Sequence, residues 1–213
     1  MSPFRKQSLA EEIVNVFTHF MGGLMAIGGF VMLLVFSNKS ENFFQYLSIL
    51  IYGTSLVMVY TSSTLYHAIP FGALKSLFRA IDQTAIFLLI AGTYTPIVVI
   101  FFHGTWSVSL LTFIWGLSAI GIALRFLNPR VFSRLAVILY LVLGWSIVVA
   151  YEHAVKNLPE GLFVWIGAGG LIYTVGLVFY RWKSLPFHHA WWHLFVIAGS
   201  ATHYAGLYIN LTD

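Results

Sequence analysis

Residues 83–124, QTAIFLLIAGTYTPIVVIFFHGTWSVSLLTFIWGLSAIGIAL, contain no Asp, Glu, Lys or Arg. A charge at the centre of a bilayer is expensive, so long charge-free intervals are where a chain can cross. One crossing helix needs about 20 apolar residues, and this interval holds 42. The polar interruption HGTWS at 103–107 divides it into two helices, 82–102 and 107–125.

Working outward from that pair, the same reading gives five more spans. Upstream lie 14–37, ending in IGGFVMLLVF, and 43–67, followed by the breaker run AIPFG. Downstream lie 134–151 in RLAVILYLVLGWSIVVAYE, 161–180 in GLFVWIGAGGLIYTVGLVFY, and 188–210. The expectation is an all-α polytopic membrane protein, a bundle of seven transmembrane helices forming one domain over 1–213. Hydrocarbon offers no water to an open strand edge, and the runs do not alternate as barrel strands do. The first span is also too long for the core of a cleavable signal peptide.

Composition agrees. Of 213 residues, 59% are hydrophobic and 8% charged, against about 25% charged in ordinary soluble domains. A soluble monomer of this size keeps too much surface to hide that apolar content. A cytoplasmic enzyme, a nucleic-acid-binding domain and a disordered segment are therefore excluded. The net charge of +4 reads as basic loops facing an anionic leaflet.

Nine basic residues (Arg5, Lys6, Lys75, Arg79, Arg125, Arg130, Arg134, Arg181 and Lys183) fall on one side of this topology, against Lys39 and Lys156 on the other. The positive-inside rule then places the N-terminus in the cytoplasm and the C-terminus outside. Cysteine is absent, so any metal must be held by His and carboxylates, and the nucleophile must be an oxygen. Pro96 is expected to bend the third span. Gly22, Gly23, Gly28, Gly29, Gly167, Gly169 and Gly170 read as close-packing positions between helices.

The informative residues are those whose burial needs a reason. His67 ends the second span in SSTLYH, Asp82 opens the third in RAIDQTA, and His188, His189 and His193 open the last in FHHAWWH. The topology delivers all of them to one depth at the cytoplasmic side. His189 and His193 are four apart, one turn along one helix face, and His67 can supply a third imidazole from a facing helix. Three His with one open position is a common catalytic zinc arrangement.

Asp82 then suits a general base or an outer partner of the metal site. Ser63, one turn before His67, can orient a water, a substrate carbonyl or Asp82, or can bond back to its own helix. His188 points away from His189 and reads as interfacial. His203 is about 15 Å deeper than His193, where a helix–helix hydrogen bond or pocket lining suits it better than the metal. Glu12, Asn15 and His19 share one helix face. A first turn complementing the helix dipole explains the acids, and a polar lid over the site is the alternative. His103 and His153 read as surface residues in outer loops.

The segments EEIVNVFTH (11–19), SSTLYH (62–67), FRAIDQTAIFLLIAGTYTP (78–96) and HHAWWHLFVIAGSATHYAG (188–206) resemble the bacterial hemolysin III group, within the superfamily of progestin and adiponectin receptors. The resemblance covers essentially the whole chain. It implies a zinc ion near the cytoplasmic face of a plasma (inner) membrane protein, on His67, His189 and His193, with Ser63 and Asp82 around the water. It also implies amide hydrolysis like that proposed for the receptor members, which are similar to alkaline ceramidases, and a link to membrane lipid homeostasis. The long N-terminal region of the receptor members is missing, which argues against transferring hormone binding.

Three functions compete. The first is a zinc-dependent hydrolase of a lipid amide or ester, with membrane lipids as partners and no nucleic acid. The second is a sensor or regulator with a structural zinc. The third is a membrane-permeabilising hemolysin. For a transporter, no continuous polar path crosses the outer half of the spans.

Overall fold

A computed structural model describes residues 7–37 and 43–212. Arg5, Lys6 and Lys39, used above for orientation, lie outside the described residues. Among the described residues the chain forms eight α-helices: α1 (Leu9–Phe36), α2 (Phe43–Ala68), α3 (Ala73–Phe101), α4 (Thr105–Leu127), α5 (Pro129–Gly144), α6 (Tyr151–Asn157), α7 (Glu160–Arg181) and α8 (His188–Thr212). A 3-10 turn, Ser146–Val148, joins α5 to α6. Five of them (α1, α2, α3, α4 and α7) are long and apolar enough to cross a membrane. α5 has 16 residues, and α8 carries polar residues along its length, from His188 and His193 to His203 and Asn210.

α1 begins five residues before the expected start because Ser8 and Glu11 close a reciprocal capping box. The Ser8 N–H donates to Glu11 Oε2 at 2.8 Å, and the Glu11 N–H to Ser8 Oγ at 3.2 Å. Two otherwise unpaired N–H groups are thus satisfied at the helix start. α3 also begins early, at Ala73, after a turn in which Gly72 takes a φ of 94° that a side chain would resist. It runs unbroken through Pro96, which is buried.

The expected continuous helix over 134–151 is instead broken after Gly144. Tyr94, from α3, sits in the break. Its hydroxyl donates to the Gly144 carbonyl at 2.8 Å and accepts from the Ile147 N–H at 3.0 Å. Backbone groups freed inside hydrocarbon need such a partner.

The helices form a ring in which α1 packs on both α2 and α8, α3 packs on α2, α4 and α5, and α7 packs on α8. Contact between α5 and α7 is slight. Several glycines allow close approach. A Cβ at Gly22 would meet the Tyr60 ring at 2.8 Å, and one at Gly29 would meet Tyr204 at 3.0 Å. At Gly169 it would collide with His203. Gly28 and Gly167 differ from expectation, since a Cβ there meets nothing within 4 Å.

Candidate metal centre

The ring brings the end of α2 against the start of α8, and three imidazoles meet there. His67, His189 and His193 each offer a ring nitrogen, and these atoms all lie within 4.8 Å of one another. His67 is 3% exposed and His193 1%, while His189 is less deeply buried and marks the open side. The ring centroids are 5.0 Å apart for His67–His189, 5.1 Å for His67–His193 and 4.6 Å for His189–His193.

Three converging neutral imidazoles can hold one metal ion. The Nε2 of His67 supports this reading, because it is buried with no hydrogen-bond partner. An unsatisfied buried polar atom costs about 1–3 kcal/mol, and a metal would satisfy it. Asp82, on the third turn of α3, lies near His67 and close to the Ser63 hydroxyl.

Ser63 does not bond back to its helix. Its neighbours do: Ser62 Oγ donates to the Val59 carbonyl at 3.2 Å and Thr64 Oγ1 to the Tyr60 carbonyl at 2.8 Å. Ser63 Oγ is buried with no backbone partner and faces the Asp82 carboxylate instead. The hydroxyl is therefore available to a group at the cluster.

The N-terminal helix contributes more than a charged first turn. Glu11 serves the helix start, but its second oxygen also accepts the N–H of Phe187 at 3.2 Å, just before α8. Phe187 has a φ of 55°, a left-handed conformation uncommon outside glycine. Glu12 faces the cluster: Oε2 lies 2.5 Å from His67 Nδ1, and Oε1 lies 2.9 Å from Lys75 Nζ. Thr18 Oγ1 lies 3.1 Å from His193 Nδ1. His19 stacks on His193 with centroids 3.4 Å apart, edge-on to Tyr60 at 5.2 Å. Asn15 is fully buried, and its amide donates to Gln7 Oε1 at 2.6 Å.

The reading of Glu12 as a dipole residue alone is thereby corrected; Lys75, read from sequence only as an orienting charge, and Thr18, which nothing in the sequence singles out, join the site. The shared face of Glu12, Asn15 and His19 was the available signal. His188 is buried rather than interfacial. His153 is not a plain surface residue either, since it packs on Phe102 at 4.9 Å and Trp106 at 5.9 Å.

His203 takes no part in the cluster. Its Nε2 pairs with the Ile166 carbonyl at 3.1 Å, and the ring lines a cavity of about 90 Å³. That largely apolar cavity lies between α2, α3, α5, α7 and α8. Its inner wall includes Val59, Ile86 and Val196, each about one turn from Ser63, Asp82 and His193 respectively. The cavity thus begins one helical turn beneath the cluster.

These features define a class: a polytopic all-helical membrane protein with a buried three-histidine cluster beside a carboxylate and above an apolar cavity. The profile of the Haemolysin-III related family matches residues 7–204, and the chain belongs to that family. It is 38% identical to Hemolysin-3 of Bacillus cereus over 195 residues, covering 92% of this chain and 89% of that protein. It is 39% identical to the Hemolysin-3 homolog of Bacillus subtilis (strain 168) over 194 residues, 91% of each. A more distant likeness, 28% over 211 residues, is to the monocyte to macrophage differentiation factor of Homo sapiens, covering 95% of this chain and 85% of that protein. This last relative agrees with the wider receptor superfamily.

Proposed function

We propose that this protein is a zinc-dependent hydrolase of membrane lipids, acting on an amide or ester carbonyl. It spans the plasma membrane seven times, with α5 to α6 as the fifth crossing and α8 as the last, and with the cluster at the cytoplasmic face. The observation that carries the proposal is the meeting of His67, His189 and His193 within 4.8 Å, next to Asp82 and the buried Ser63 hydroxyl that faces it.

The donor set suits zinc, which takes imidazole readily and keeps a fourth position open at catalytic sites. Zinc held there supplies Lewis acidity and makes water acidic enough to ionise near neutral pH. Asp82 takes a proton from the attacking water and returns it to the leaving amine or alcohol oxygen. Ser63 donates its hydroxyl hydrogen to the substrate carbonyl. Acyl chains occupy the apolar cavity one turn deeper. Sparse packing between α5 and α7, which both line that cavity, supports lateral entry from the bilayer.

The test is metal content and turnover of detergent-purified protein. One zinc per chain is expected, falling to none in a His189→Ala, His193→Ala double variant. Asp82→Asn is expected to keep zinc and lose hydrolysis of N-acyl and ester lipid substrates. Loss of zinc in Asp82→Asn would make Asp82 a structural residue or a ligand instead.

One observation favours a second reading, a sensor whose zinc is structural. α2 packs chiefly on α1 and α3, and α8 chiefly on α7 and α1, so an ion shared by His67 and the α8 histidines would staple two helices that have little other contact. Melting with and without chelator tests it, and unchanged melting after complete zinc removal would exclude this role.

A further inference from the structure

The two best-buried histidines of the cluster each have one ring nitrogen engaged by α1, and counting protons decides which nitrogen is left for a metal. The Glu12 carboxylate, ionised beside Lys75 Nζ at 2.9 Å, is acceptor-only. Its 2.5 Å contact with His67 Nδ1 therefore needs the proton on Nδ1. The lone pair then sits on Nε2, the same atom that is buried without a partner.

His193 gives the same answer by another route. Thr18 Oγ1 contacts both the Asn15 carbonyl at 3.0 Å and His193 Nδ1 at 3.1 Å. The hydroxyl has one proton and the carbonyl has none. For both contacts to be hydrogen bonds, Thr18 donates to the carbonyl and His193 Nδ1–H donates to Thr18. The Nε2 lone pair of His193 is again left over. Which nitrogen binds a metal is set by the hydrogen bond the other makes.

We infer that α1 prepares the cluster, with Glu12 and Thr18 as positioning residues that hold His67 and His193 as Nδ1–H tautomers with Nε2 directed at the metal. Lys75 fixes Glu12 in turn. Its ammonium also donates to the Tyr66 carbonyl at 3.2 Å and the Ile69 carbonyl at 2.9 Å at the end of α2, so the carboxylate is anchored to the helix that carries His67. The inference rests on the three-histidine metal reading and goes on to name what orients its ligands.

The test uses the full chain in detergent and zinc alone as the probe, titrated against a competing chelator. Loss of such outer partners typically weakens metal binding about 10–100-fold. Glu12→Gln and Thr18→Val are each expected to weaken zinc binding by about tenfold or more, while Thr18→Ser, which restores the acceptor, stays near wild type. Nitrogen NMR of histidine-labelled, metal-free wild-type protein is expected to show Nδ1–H for His67 and His193. This readout does not depend on a variant folding. Wild-type zinc binding with both variants unaffected, or Nε2–H tautomers in the spectrum, overturns the positioning role alone. No zinc binding by wild type overturns the metal reading, and the inference with it.

Discussion

A serine hydroxyl buried in a membrane helix normally gives its proton to a carbonyl one turn back, as Ser62 and Thr64 do here. Ser63 lies between them with no backbone partner and faces Asp82 instead. A methyl group in its place breaks no backbone hydrogen bond and removes one contact to Asp82, so Ser63→Ala should cost only about 1 kcal/mol of stability. Turnover should nonetheless fall by about 10²-fold, the usual effect of losing a hydrogen-bond donor at a reacting carbonyl. Equal turnover in the variant would assign Ser63 to packing. The histidines were legible in the sequence because a chain so poor in charge makes each ionisable residue near a span conspicuous. Glu12 was ambiguous because the helix dipole already accounts for acids in a first turn. Thr18 was invisible, since nothing in a threonine between apolar residues announces a contact with residue 193.

Among the elements, the fifth apolar run shows where sequence reading stops short. Nothing between Arg134 and Glu152 is charged, and Gly144 alone does not announce a break. The 3-10 turn is stabilised by Tyr94, fifty positions away, through hydrogen bonds to Gly144 and Ile147. Tyr94→Phe would strand the Ile147 N–H in a buried position, at a cost of about 1–3 kcal/mol. A lower melting temperature with unchanged metal content is the expected result. Unaltered melting would mean that the break is satisfied by other groups. Two helix starts shifted because a local cap extends the helix past its hydrocarbon-spanning part, Ser8 with Glu11 at α1 and Asn128 at α5.

At the scale of the whole molecule, the ring closes where α1 meets α8, and the adjacent acids of α1 secure it in two directions. Glu11 holds the turn into α8 through Phe187, and Glu12 holds His67 at the end of α2. A bound metal would add a third tie, because a ligand that binds only the folded state stabilises it by RT ln(1 + L/Kd), with L its free concentration. Chelation should therefore lower the melting temperature of wild type and leave a His67→Ala variant unmoved. Identical shifts in both proteins would place the bound metal elsewhere.

The division of the cluster between α2 and α8 also has a consequence in time. During synthesis the first two helices leave the ribosome long before the last, so His67 and its Glu12 partner wait in the bilayer for α8. On the proposed metal reading, an ion could then be captured only once translation has finished and the ring has closed. A chain truncated before residue 188 would carry the orienting residues but could not assemble the three-nitrogen cluster, so on that reading metal occupancy would report on complete biogenesis.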